Sequence, residues 1–390
     1  MKAVKKLAHI DFVLLVCVLV LLIIGTMMVY TSSSYRAEMN YGDSEHFLTR
    51  QLVRLVLGIA AMLLFALIDY RRWLVYAPLF YVVSLALLVV LFTSMPFVSP
   101  VHGSRRWIQL GFFSFQPSDL ARYALILVLA RALYSERDSL DDFWRGFGKM
   151  LVISLVIIAP ILVEPDLGTA VILLMVVYAM FFFAEVRITY LLASGLTLVS
   201  FALFFIKLHR YQSTRIDSWI VALNTGQAGW QVKQSLISLA EGGWFGNGLG
   251  NSRQKYMFLP EAHKDFIFSI VGEEMGFIGT VVVLFLFLVI IYRGMRIAIQ
   301  APNGYGRLLA AGLTVSLGLY AFINAGVAVG VLPTTGIPMP FVSYGGTALV
   351  MNLAAIGLLM NIALQGSRSN ANAVAWRTYR QRLNRPIFTR

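Results

Sequence analysis

Ten apolar stretches punctuate this chain of 390 residues, at about 11–31, 52–69, 73–93, 117–134, 150–163, 168–184, 188–207, 266–292, 308–330 and 343–364. About twenty apolar residues wound as a helix cross a hydrocarbon core about 30 Å thick, where a backbone N–H or C=O left unpaired costs several kcal/mol. Such a chain is expected to form an all-α polytopic bundle of about ten transmembrane helices, a single integral membrane domain over residues 1–390. With 58% hydrophobic and 13% charged residues it lies outside the range of soluble globular domains. The fourth and fifth stretches fit least well, one being interrupted by Arg122 and Arg131 and the other being short.

Basic residues set an expected orientation. Lys2, Lys5 and Lys6, the pair Arg71 and Arg72, Arg137 to Lys149, Arg187, and Arg293 to Arg307 fall at ends that alternate with charge-poor loops, which places both termini in the cytoplasm. The basic tail, 366–390, joins them there and suits contact with anionic headgroups. The first apolar stretch is too long for a removable signal peptide and has no small-residue cleavage site, so it is expected to stay as an anchor. Much of the net charge of +13 is this topogenic excess, and no nucleic-acid partner is expected. Cys17 stands alone, which rules out an intramolecular disulfide or a cysteine metal cluster.

Only one segment outside the stretches is long, about 208–265, and a loop of that length in a compact protein is functional or disordered. This one can order itself: it carries Trp219, Trp230, Trp244, Tyr256 and Phe258, and QVKQSLISLA (231–240) has helical spacing of Val232, Leu236, Leu239 and Ala240. GGWFGNGLGN (242–251) then supplies turns that glycine tolerates best. A partly helical cap on the outer membrane face is expected. Its Lys233, Arg253 and Lys255, with Arg105 and Arg106 of HGSRRWIQLG on another outer loop, are candidates to bind a phosphate-bearing substrate. The plainer reading is a solvated basic loop, which long loops tolerate.

Acids at the membrane edge are the other unusual feature. LPEAHKDFIFSIVGEEMG (259–276) sets Glu261 and Asp265 at the mouth of the eighth stretch and Glu273 and Glu274 two to three turns inside it. Charge at depth is costly and marks a functional candidate; the plainer reading of Glu273 and Glu274 is a structural pair satisfied by Arg122 or by backbone groups. Beside Lys264, Asp265 is expected to be ionised and fit to act as base, nucleophile or metal ligand. Its alternative is a helix cap. His263 has no second histidine at helical spacing and is expected to be structural. In FQPSDLAR, Pro117 suits the first helical position with Asp119 in the first turn. EPDLGT reads as a tight hairpin capped by Asp166, leaving Glu164 over, and GVLPTTGIPMPFVSYGGT (330–347) breaks regular helix, which at membrane depth requires burial or a wet cavity.

Together, RRWIQLGFFSFQPSDLAR, EPDLGT, GLGNSRQKYMFLPEAHKDFIFSIVGEEMG and LPTTGIPMPFVSYGGT closely resemble the shape, elongation, division and sporulation (SEDS) proteins, bacterial peptidoglycan polymerases, in family order over about residues 11–364. GLGNS, QK and LPEAH are more like the division or sporulation members than the elongation member. The resemblance implies ten spans with cytoplasmic termini in the bacterial inner membrane, an extracytoplasmic site, and Asp265 as the essential acid. It implies lipid II as substrate, a class B penicillin-binding protein as partner, and other divisome or elongasome membrane proteins nearby. The chain departs from the family at Lys264, Asp119 and Arg122, where threonine, glutamate and lysine are usual.

On this footing the expected reaction is inverting glycosyl transfer, an acceptor hydroxyl attacking the anomeric carbon of a donor with undecaprenyl pyrophosphate leaving. Asp265 is the expected base or metal ligand. Arg105, Arg106, Arg122, Lys233, Arg253, Lys255 and Ser343 are candidate substrate contacts, with a divalent cation, magnesium or manganese, as an aid. Asp119, Glu164, Glu261, Glu273 and Glu274 are expected to support them. Two other classes remain open: a lipid II flippase, and a non-catalytic scaffold for the transpeptidase.

Overall fold

In a computed structural model, residues 11–383 are described apart from 94, 96–97, 99–105, 111–112, 209, 227 and 257. Among the described residues, twelve α-helices and one short hairpin make up the architecture. They are α1 (Phe12–Tyr41), α2 (His46–Leu67), α3 (Tyr70–Val90), the strands β1 (Ile108–Leu110) and β2 (Phe113–Phe115), α4 (Pro117–Ser135), α5 (Lys149–Val163), α6 (Leu167–Phe183), α7 (Ile188–Leu208), α8 (Arg210–Thr225), α9 (Trp230–Gly242), α10 (Ile267–Ile299), α11 (Gly304–Ala328) and α12 (Gly346–Leu383).

Each expected span coincides with a helix. Among the described residues, eight helices are long and apolar enough to cross a membrane; the expected fourth and sixth spans are the 19-residue α4 and the 17-residue α6. The short fifth stretch gains length from a π-helical turn, Phe143–Gly148, that runs into α5. Local chemistry sets several starts: Asp11, Asp69, Asp166 and Asn303 each accept a backbone N–H of the first turn they precede. The chain is a multi-pass membrane protein.

Inside a bilayer, apolar surface alone does not hold helices together, and close packing at small residues does. α11 and the apolar part of α12, Gly346–Ser367, form the centre, each about four-fifths buried. α2 lies along α12 at two glycines: a Cβ on Gly58 would fall 2.5 Å from Leu353, and one on Gly357 would fall 2.2 Å from the Met62 carbonyl. Gly25 of α1 admits the Phe341–Val342 backbone in the same way. Arg293 pairs with Asp11 at 2.7 Å, fixing the end of α10 beside the start of α1. α7, by contrast, buries only Leu191.

One helix is interrupted. At Gly276, φ +70° and ψ −171° break α10 about a third of the way along it. The GGWFGNG turn docks against the break. Phe277 and Ile278 donate to the carbonyls of Gly243 and Trp244 at 2.8 and 3.2 Å, and Asn247 and Gly248 donate to the carbonyls of Glu273 and Glu274 at 2.9 and 3.1 Å. Four backbone groups of α10 beside the break are thereby paired, as a hydrocarbon environment demands.

Candidate active site

The connections at one end of the bundle, those before β1, between α5 and α6, between α7 and α10, and between α11 and α12, meet around Asp265. A turn in which the N–H of Asp265 bonds the Glu261 carbonyl at 3.1 Å delivers it to the start of α10. The Asn324 amide, from the buried face of α11, donates to the carbonyls of Asp265 at 2.8 Å and Ile337 at 2.7 Å. The side chain of Asp265 does not cap α10, whose N-cap, Phe266, makes no capping bond. Instead it faces Gly336, where an added Cβ would lie 3.5 Å from Oδ2. Gly336 has φ +72°, a conformation natural to glycine, so a sidechain-free gap stands before the carboxylate.

Two arginines surround this gap. Arg106 donates to the carbonyls of Glu164 and Pro165 and lies 3.8 Å from Asp166, and Arg215 donates to the Thr334 carbonyl at 3.0 Å. Gly168 packs against Thr335, so EPDLGT and LPTTGIP form facing walls. Asp166 caps α6 through the Thr169 N–H at 3.3 Å, as expected.

The electrostatics raise Asp265 yet leave it ionised at neutral pH, as expected. Burial, opposed by Lys264 and more weakly by Arg215 and Arg106, pushes Asp265 up to about 6, so Lys264 does not hold it in the ordinary carboxylate range. Lys264 is engaged elsewhere: its Nζ lies 2.6 Å from Glu261, which also pairs with Arg36 at 2.9 Å. Burial would raise Glu261, but Lys264 and the other nearby cations outweigh it and bring it down to about 2. His263 is buried between Phe47 and Tyr344 and held neutral by burial, down to about 3, in keeping with a structural role. Burial, with Asp166 adding repulsion, pushes Glu164 up to about 8, leaving a protonated acid near Arg106 at neutral pH.

Other candidates lie apart from this gap. Glu273 accepts from the hydroxyls of Ser238 and Ser252 at 2.8 and 2.6 Å and from the Arg253 N–H at 2.6 Å. Glu274 lies among Thr31, Gly250, Ser252 and Lys255. Neither meets Arg122, which corrects that expected pairing. Arg122 is fully buried between the Tyr123 and Tyr320 rings and bonds Asn352 at 2.7 Å, while Asp119 accepts from Thr347 at 2.7 Å. Ser343 closes a turn with Met339, and beside it and Arg122 is a cavity of about 10 Å³, room for one water. Lys233 and Arg253 are exposed, Lys255 donates to the Gly250 carbonyl, and Arg105 lies outside the described residues.

Sequence reasoning passed over Asn324, gave Gly336 no role, and counted Arg215 only among the basic residues of the long loop that could attract a phosphate-bearing substrate. An amide within an apolar stretch was the available signal for Asn324. For a metal, no group of three or more His, Cys, Asp or Glu side chains converges among the described residues. Asp265 offers one carboxylate, which suits magnesium, an ion held by one or two carboxylates with the remainder from water and substrate phosphate.

A helical membrane bundle that gathers a carboxylate, two arginines and a protonated glutamic acid at one end defines a polytopic membrane protein with a polar site at its edge. The chain belongs to the FtsW, RodA and SpoVE family, whose model, described as "Cell cycle protein", matches residues 12–368. Among its relatives, "Probable peptidoglycan glycosyltransferase FtsW" of Trichlorobacter lovleyi is 38% identical over 92% of this chain and 94% of its own. "Stage V sporulation protein E" of Bacillus subtilis is 39% identical over 90% and 96%. A solved structure described as "Structural coordination of polymerization and crosslinking by a peptidoglycan synthase complex" superposes with TM-score 0.75 at 27% identity, covering 92% of this chain and 99% of that one. Thermus thermophilus RodA superposes with TM-score 0.67 at 26% identity, covering 92% and 97%. The greater likeness to division and sporulation members agrees with the motifs.

Proposed function

We infer that this protein is a peptidoglycan glycosyltransferase that polymerises lipid II into β-1,4-linked glycan strands at the outer leaflet of the bacterial inner membrane. The names of its relatives support the activity. The observation that carries the site assignment is the Asp265 carboxylate, uncapped, facing the bare Gly336 and poised near neutrality.

In this reading Asp265 takes the proton from the acceptor hydroxyl as that oxygen attacks the anomeric carbon, and a base near 6 is well matched to neutral pH. Arg106 and Arg215, with backbone bonds that fix them in advance, stabilise negative charge growing on the departing pyrophosphate. Glu164, protonated and with a buried carboxyl oxygen that has no partner, is available to donate a hydrogen bond to the substrate. Asp265 would be the residue to hold a divalent ion, which would add charge neutralisation as the pyrophosphate departs. Arg122 acts from the interior by holding α4 to α12, since its guanidinium has no open surface. The termini then lie in the cytoplasm, and a class B penicillin-binding protein is the expected partner, in line with the synthase complex that this fold resembles.

The test is polymerisation of purified lipid II by wild type and Asp265→Asn, each with and without a cognate class B penicillin-binding protein. Loss of glycan chains with the complex intact supports the base. Equal chains from both would transfer the assignment to a flippase or scaffold.

A further inference from the structure

At the end of the bundle opposite Asp265, α6 and α7 stand apart from the end of α10 across α11. The gap is a cleft of about 510 Å³ lined by Phe182, Phe183, Val186 and Ile188 on one side and Met295 and Ile299 on the other. Ala298 and Ala311 form its floor, and these two small side chains give the cleft its depth. Phe182, Ile188 and Ile299 are 63%, 57% and 78% exposed, so the walls turn apolar surface outward at a level where the neighbour is bilayer.

The apolar lining suits a hydrocarbon chain, and the charge at its mouth says what kind of molecule carries that chain. At the mouth, Arg307 meets Glu185 at 3.7 Å with both side chains at least half exposed, a pairing of the weak surface kind. Arg296, exposed on the last turn of α10 one turn from Ile299, makes no ion pair among the described residues. Arg307 lines the cleft and Arg296 stands one turn from its Ile299 wall, so guanidinium is at hand for a headgroup phosphate, which it binds through paired hydrogen bonds.

We propose that this cleft is a binding site for an anionic glycerophospholipid of the leaflet opposite the Asp265 end, one acyl chain seated over Ala298 and Ala311 and the phosphate held by Arg307 and Arg296. The lipid supplies packing between α7 and the bundle that the protein itself does not provide. This assignment is independent of the reaction.

The test uses the full-length protein in nanodiscs of mixed phosphatidylglycerol and phosphatidylcholine, with retained lipid counted by native mass spectrometry after extraction. Wild type should retain phosphatidylglycerol in preference. Arg307→Gln and Arg296→Gln should each reduce that preference roughly fivefold, the worth of about 1 kcal/mol per arginine near an anionic surface. Glu185→Gln, which removes the competing carboxylate, should increase it. Ala311→Phe should lower retention of both lipids. No preference in wild type, or a preference that survives both arginine substitutions, overturns the site, as does a cleft that retains no lipid. Should Ala311→Phe fail to fold, the three exposed charge variants decide the question.

Discussion

Asn324 holds the main chain of Asp265 to the wall opposite it, one amide donating to the Asp265 and Ile337 carbonyls at 2.8 and 2.7 Å. The acid and the bare glycine before it therefore keep their separation through a single side chain from α11. Asn324→Leu should reduce polymerisation roughly tenfold to a hundredfold while Asp265 remains, with a stability loss of about 1–3 kcal/mol for the two carbonyls left unpaired. Chain synthesis from lipid II and thermal melting of the same preparation check this; unchanged synthesis would dissociate Asn324 from the site.

Polymerisation should rise with pH through about 6, where Asp265 releases its proton, and level off above. Lys264→Met removes a charge that lowers Asp265 and uncovers Glu261, which raises it, so the acid limb should move to higher pH. A pH–rate profile of both proteins measures the shift, and a limb displaced toward lower pH contradicts the electrostatics.

Stability supplies a second view of the same carboxyl. Its folded value lies above the unfolded one, so its contribution is complete below the ordinary carboxylate range and disappears as pH rises through about 6. Asp265→Asn should therefore melt higher than wild type at about pH 8, by roughly 1–3 kcal/mol, and show no such gain at low pH. An inactive variant that is also more stable is the expected mark of a buried base.

Gly336→Ala should depress synthesis at least roughly tenfold, because the methyl group enters the space before Asp265 and the left-handed backbone costs about 1 kcal/mol more for alanine. The loss should fall mainly on turnover and lipid II affinity, with only a small change in melting temperature. A fully active Gly336→Ala would place the acceptor elsewhere.

Removal of divalent ions with EDTA should slow synthesis, and magnesium should restore it, if the pyrophosphate and Asp265 share an ion. Full activity in EDTA would assign charge neutralisation to Arg106 and Arg215.

The spans were legible because hydrophobic length is a one-dimensional property, and α1, α4, α6 and α11 begin at caps or prolines written locally. The break at Gly276 was not, since a glycine inside an apolar run looks the same whether or not a distant turn docks on it. Asp265 is singled out in the sequence by its place at a membrane mouth, and its ionised state at neutral pH agrees with the charge beside it. Its upward shift is not legible there, because the adjacent Lys264 is drawn to Glu261 and charge adjacency in sequence does not reveal which partner wins. Arg122, an intramembrane cation in a polar motif, reads as a substrate contact until the Tyr123 and Tyr320 rings are seen to enclose it.

The docking of the glycine turn on the broken α10 also bears on how the chain is made. The segment that completes the hydrogen bonds of Glu273, Glu274, Phe277 and Ile278 precedes them in sequence, at residues 243–248. During synthesis, the turn has left the ribosome before the helix that depends on it. The interrupted helix thus enters the bilayer with its complement already translated, and a permuted chain that delivered the turn last would insert α10 with open backbone groups.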